Sequence, residues 1–92
     1  MLERAVEAYF RKAVAAAGGV AFKFVSPSHR GVSDRIVCLH GQTWFVELKT
    51  KGGRLSPLQK LFAAEMVRLK QNYSCLWTKE QVKQWVLTIT TK

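Results

Sequence analysis

The sequence predicts an α/β domain in the order αβββαβα, a mixed central sheet flanked by helices. Three observations carry that expectation. Apolar residues recur at three- and four-residue spacing near both the start and the middle of the chain. Short runs rich in Val, Ile, Phe, Tyr and Trp stand between these helical stretches. Glycines and a Ser-Pro pair separate the segments. Ninety-two residues make one domain, 1–92, with one modest core.

Leu2 to Ala17 reads as the first helix. Leu2, Val6, Tyr9, Phe10, Ala13, Val14 and Ala17 form its apolar stripe, and Gly18-Gly19 stops it. Val20 to Val25 is a short strand of alternating character, followed by the polar loop Ser26-Pro-Ser-His-Arg-Gly31. Asp34 to His40 and Thr43 to Lys49 are two further strands, and Gly41-Gln42 between them has the length and the glycine of a tight hairpin turn. Trp44, Phe45, Val46 and Leu48 make the second of these strands apolar on both faces, so it belongs inside the sheet. Thr50-Lys-Gly-Gly-Arg54 reads as a mobile basic loop. Ser56-Pro57 opens the second helix, with Ser as cap, Pro at its first position, and Leu58, Leu61, Phe62, Met66 and Leu69 as its buried stripe. Tyr73 to Trp77 is the fourth strand. Thr78-Lys-Glu-Gln81 is a capping box that opens the last helix through Val82, Trp85, Val86 and Ile89.

Fifteen Lys and Arg against six Asp and Glu give a net charge of +9, which favours nucleic acid or another polyanion as partner. Simple solubility is the plainer reading of the same charge. With 48% hydrophobic residues the chain is not disordered by composition. It has no apolar run of membrane-spanning length and no signal-peptide pattern, so an intracellular, cytoplasmic protein is expected. Cys38 and Cys75 lack a metal-ligand spacing and read as buried free thiols. His29 and His40 are too isolated for a zinc site.

The chemistry concentrates in the hairpin. With residue 40 facing 43, Asp34 faces Lys49 and Ile36 faces Glu47. Side chains alternate along a strand, so Asp34, Glu47 and Lys49 project on one side. Asp34 and Glu47 become diagonal neighbours roughly 7–8 Å apart at the backbone. Two carboxylates so placed can hold Mg²⁺ or Mn²⁺, which prefers oxygen ligands and keeps several waters. The backbone carbonyl of Leu48 is a further candidate ligand. A metal-bound water can attack a phosphodiester, and the Lys49 ammonium would orient it and offset charge on the phosphate. A surface ion pair between Asp34 and Lys49, with Glu47 solvated, is the plainer alternative. Glutamate and lysine on a largely buried strand call for a reason, and a metal-dependent nuclease site supplies one.

With the elements in order, Gly31-Val-Ser-Asp34, Phe45-Val-Glu-Leu-Lys49 and Gly53-Arg-Leu-Ser-Pro-Leu-Gln59 resemble the VRR-NUC domain. This is the virus-type replication-repair nuclease branch of the PD-(D/E)xK superfamily, whose fold is restriction-endonuclease-like. The resemblance runs from about Glu3 to the last strand. Ser33 departs from it, since many members have proline there. The resemblance implies that Glu7 on the first helix completes the metal site, directly or through water, with Glu3 as fallback. Complementing the helix dipole would explain either glutamate without metal. The resemblance also implies a site role for Gln59, whereas Ser56-x-x-Gln59 is equally a capping box.

Arg30, Arg35, Lys51, Arg54, Lys60 and Lys23 are expected to grip the phosphate backbone, which positions nucleic acid without reading its sequence. The implied activity is a structure-selective DNA endonuclease acting on four-way junctions or other branched DNA, of phage or bacterial type. Free-standing domains of this group resemble junction resolvases in size. A symmetric junction needs two cuts, so a two-fold homodimer is expected, with Trp77, Trp85 and Tyr73 as candidate patch aromatics and core packing expected for at least one. No small-molecule cofactor is expected. The competing readings are a non-catalytic nucleic-acid-binding module and an accessory protein with a lapsed nuclease site.

Overall fold

The computed structural model describes residues 3–26 and 28–91, and of Glu3 the backbone alone. The elements run α1 (Glu3–Ala16), β1 (Val20–Lys23), β2 (Arg35–Leu39), β3 (Gln42–Leu48), α2 (Pro57–Arg68), β4 (Asn72–Leu76) and α3 (Lys79–Thr90). The expected order αβββαβα is the observed one. Strand ends move by a residue or two, and Leu2, expected to open α1, lies outside the described residues. The sheet order is β1-β2-β3-β4. The first three strands pair antiparallel, and β4 joins β3 in parallel, so the sheet is mixed.

Local chemistry sets the helix ends. Gly18 adopts φ 96°, its N–H reaches the Ala15 carbonyl at 3.0 Å, and the Gly19 N–H reaches the Val14 carbonyl at 2.9 Å. This pair of bonds satisfies carbonyls that the last turn of α1 would otherwise strand. Ser56 caps α2 and Thr78 caps α3, each within a complete capping box.

α1 and α3 cover one face of the sheet. Val6, Phe10 and Val14 from α1 and Val82, Trp85 and Ile89 from α3 enclose Val37, Leu39, Val46, Leu48 and Leu76. Phe10 and Trp85 lie 5.6 Å apart by ring centroid, and Trp44 meets Trp85 edge-on at 5.5 Å. Trp85, 9% exposed, therefore belongs to the core and not to a surface patch. α2 covers the other face, where Phe62 packs edge-on against Phe45 and Tyr73. The cover is partial. α2 buries none of its residues fully, and Leu58, Leu61 and Leu69 of the expected stripe are exposed; Phe62 and Met66 alone of that stripe are partly buried. A helix lying over one half of a sheet face needs a narrower apolar stripe than one in a closed core.

The hairpin turn is His40-Gly41 and not Gly41-Gln42. Leu39 pairs with Gln42, and His40 (φ 56°) and Gly41 (φ 77°) both occupy the left-handed region. Such a two-residue turn requires positive φ at both central positions, and glycine is favoured at the second. The alternative frame would have placed glutamine there. The pairing is thus shifted by two residues, and Ile36 faces Phe45 where Glu47 was expected. A shift of two leaves every side chain on its expected face.

Candidate active site

Arg35 pairs with Val46 at the end of the ladder, and continuing that register by one residue sets Asp34, just before β2, opposite Glu47. Direct opposition on one face brings the Cβ atoms to about 4.5–5.5 Å, closer than the diagonal expected from sequence. Glu47 in turn pairs with Cys75 across the parallel ladder. The row Asp34, Glu47, Cys75 therefore crosses three strands on the α2 face.

Glu47 sits in the middle strand and is 6% exposed. Gln59 Nε2 donates to Glu47 Oε2 at 3.4 Å. The same glutamine accepts the Ser56 N–H through Oε1 at 2.8 Å. The two readings of Gln59 thus coexist in one side chain: it closes the capping box of α2 and holds a site carboxylate. The amide can face only one way, since its flipped form would set oxygen against carboxylate.

Asp34 is partly buried, and its Oδ1 is fully buried with no hydrogen-bond partner among the described residues. Burial raises its carboxyl above the ordinary range. The Leu48 and Asp34 backbone N–H groups and the Arg35 charge pull against that rise, and Glu7 adds to it. Burial likewise pushes the neighbouring Cys75 thiol up to about 11, with Glu47 adding to the rise and Lys49 opposing it. Tyr73 is raised by burial and then by Cys75, Glu47 and Asp34. Lys49 is partly buried beyond Glu47, and its N–H continues the ladder to the Leu76 carbonyl at 2.9 Å. These mutual influences bring Asp34, Glu47 and Lys49 into one electrostatic neighbourhood.

Two of the expected site residues lie differently. Glu7 is on α1, across the sheet from Glu47, and its Oε2 pairs with Arg35 Nη2 at 3.3 Å. Its charge still reaches Asp34. Arg35 is 5% exposed, and its Nη1 points to the Ala21 carbonyl at 3.4 Å. A guanidinium so enclosed does not face a phosphate in solvent, so Arg35 leaves the set of backbone-gripping residues. The reason is strand alternation: Arg35 follows Asp34 and must project to the α1 face. Lys23, Arg30, Lys51, Arg54 and Lys60 are exposed. The side chain of Glu3, the fallback for Glu7, lies outside the described residues, which hold no cluster of three or more metal-ligating Asp, Glu, His or Cys.

Further contacts frame the site. Gly31 has φ 85°, and a Cβ there would stand 2.4 Å from the Leu58 carbonyl oxygen. The loop leading to Asp34 therefore rests directly on the first turn of α2, which only glycine permits. Buried Ser33 donates to the Arg35 carbonyl at 3.3 Å. The loop after Lys49 is tied down and not simply mobile. Trp77 Nε1 donates to the Gly53 carbonyl at 2.7 Å, and Gly53 N–H closes a turn on Thr50. Trp77 and Tyr73 are thus engaged within the fold. Cys38 is exposed, contrary to expectation, because its face of β2 has no helix above it; Cys75 is partly covered. No sequence signal marked Cys75 as a neighbour of Glu47, since a parallel pairing has no connecting turn to fix its register.

A mixed four-stranded sheet flanked by helices in this order is shared with a solved structure. The chain covers 94% of a solved VRR_NUC domain structure over 92% of its own length, with a TM-score of 0.86 and 25% identity. The chain therefore has the fold of a VRR_NUC domain. It is also 45% identical over 58 residues to the protein named "Putative nuclease p44" of Acyrthosiphon pisum secondary endosymbiont phage 1. That match spans 62% of each chain. No protein-family model matches the sequence.

Proposed function

We propose that this chain is a divalent-metal-dependent DNA endonuclease, selective for four-way junctions or other branched DNA. The single observation that carries the reading is the buried, unpartnered Oδ1 of Asp34 beside the buried carboxylate of Glu47. A desolvated carboxylate oxygen without a donor is costly unless a cation meets it. The oxygen donor set fits Mg²⁺ or Mn²⁺. Asp34 and Glu47 would hold the ion, with the Leu48 carbonyl as a third donor and Glu7 acting directly or through water. The bound ion would acidify a water and polarise the scissile phosphate.

The chain's own residues do the rest. Gln59 fixes the rotamer of Glu47. Lys49 supplies a positive charge for the phosphate oxygens and N–H donors that orient the attacking water. Lys23, Arg30, Lys51, Arg54 and Lys60 grip the phosphate backbone without reading bases. A homodimer would present two sites to a symmetric junction. Among the described residues no helix is long and apolar enough to cross a membrane.

The test is cleavage of a four-way junction beside linear duplex, with Mg²⁺, Mn²⁺ or EDTA, by the native chain and by Glu47→Ala. The reading expects junction-selective, chelator-sensitive cutting that Glu47→Ala abolishes while DNA binding persists. Binding without cleavage by the native chain under every cation would favour a binding module or a lapsed site.

A further inference from the structure

We propose that Phe22 and Phe24 form an aromatic shelf that stacks unpaired nucleobases beside the acid pair, making them specificity-determining residues for distorted or single-stranded nucleic acid. The proposal rests on the nucleic-acid reading above and adds to it how a branched substrate would be told from a continuous duplex.

Register places the shelf. Phe22 pairs with Ile36, and the Phe24 N–H reaches the Asp34 carbonyl at 2.9 Å, extending the same antiparallel ladder. Phe24 therefore stands opposite Asp34, and the row across the sheet becomes Phe24, Asp34, Glu47, Cys75. Phe22 lies one row further on the same face. Both rings are open, with Phe22 55% and Phe24 37% exposed. They are open because α2 packs over Phe45 and Tyr73 and stops short of the outer strands.

An exposed aromatic edge strand is unusual. Edges are normally protected by charge, proline or a covering element, because bare apolar edges aggregate. Charge decides what covers this one. Arg30 lies exposed on the loop that leads to Asp34, while Lys23, between the two rings in sequence, is exposed at the same edge strand but pairs with Arg35 and projects to the opposite face. The chain carries +9, so a second copy laid on this strand would bring like charge against like. A polyanion with flat apolar faces suits it better, and nucleic acid has both. Bases inside a duplex have their faces covered by neighbours. Only unstacked bases at a branch, fork or end offer a free face to a phenyl ring.

The test avoids turnover. In EDTA, binding is measured for a short single strand carrying 2-aminopurine and for the matching continuous duplex, using the native chain, Phe22→Ala/Phe24→Ala, Phe24→Leu and Phe24→Tyr. Phe24→Leu keeps apolar bulk without a ring, which guards against mere misfolding. The expected result is quenching of 2-aminopurine by the native chain. The alanine pair should lose about ten-fold or more in single-strand affinity, Phe24→Leu should lose several-fold, and Phe24→Tyr should recover it, with duplex affinity unchanged within about two-fold. Equal losses on both DNAs, or no loss on the single strand, would overturn the shelf. So would a dimer that the alanine pair converts to monomer by light scattering while single-strand binding holds, since the strand would then be a protein interface. Stacking without any cleavage by the native chain would keep the shelf and end the nuclease reading; no binding to either DNA would end both.

Discussion

Gln59 joins the start of α2 to the carboxylate of Glu47: one end of its amide accepts the Ser56 N–H and the other donates to Glu47 Oε2. Helix capping and site geometry therefore share one side chain, and damage to one reaches the other.

Gln59→Ala should lower both stability and cleavage. Loss of the cap interaction costs about 1 kcal/mol, or roughly 4–8 °C in melting temperature for a domain of this size. Gln59→Glu separates the two roles. It keeps an acceptor for Ser56 but sets a second carboxylate against Glu47, so cleavage should fall further than stability. Thermal melts beside cleavage rates decide; equal effects of the two substitutions on cleavage would deny Gln59 any orienting role.

Asp34 gives a signed pH dependence. Its folded pKa lies above the ordinary value of 3.8, with burial as the main cause. A raised acid favours the folded state while protonated. That contribution is complete below pH 3.8 and is lost as pH rises through the folded pKa. At neutral pH the charged form therefore opposes folding, and Asp34→Asn should melt roughly a few degrees higher than the native chain. The gap should close as pH falls towards 3.8. Mg²⁺ or Mn²⁺ should raise the melting temperature of the native chain and not of Asp34→Asn.

Lys49→Ala should reduce the cleavage rate by about 10²–10⁴-fold, as removal of a proton-transfer or charge-stabilising group does. DNA affinity, measured in EDTA, should change little, because several other basic side chains share the phosphate contacts. A parallel collapse of affinity would make Lys49 a binding residue instead.

Glu7 and Arg35 form an enclosed pair. Glu7→Ala leaves the guanidinium buried without its partner and should cost about 3 kcal/mol, at the low end for such pairs because Glu7 is partly exposed. Glu7→Gln retains an acceptor and should cost less. If Glu7 also serves the metal, Glu7→Gln should abolish cleavage out of proportion to its effect on melting.

The thiols should react in a fixed order. Exposed Cys38 should be modified by a thiol reagent at pH 8 well before Cys75, whose thiol is partly covered and pushed up to about 11. Mass spectrometry of the labelled native chain reads the order directly.

Much of this arrangement was legible in the residues, and the misses have physical causes. The face shared by Asp34, Glu47 and Lys49 was readable because strand alternation survives any even error in register. The register itself was not, since it depended on whether glycine took the first or the second place in the turn. The capping boxes at Ser56 and Thr78 were readable because they are local. The second bond of Gln59 was hidden, because it joins residues twelve apart along the chain. A basic residue beside an acid cluster invites a phosphate role, but the pleat turns Arg35 towards Glu7. The apolar stripe of α2 was visible, but nothing in a single helix says how much sheet lies beneath it.

The His40-Gly41 bend has a consequence for how this chain tolerates editing. Adding one residue anywhere along the arms between Asp34 and Glu47 would swing one acid through the sheet into the hydrocarbon interior, unless a bulge absorbed it. Added residues at the bend itself merely lengthen a solvent-facing arch and leave the arms in phase. Peptide tags or reporter insertions therefore have a safe harbour at that apex, and the flanking arms form a stretch whose length the chemistry holds constant.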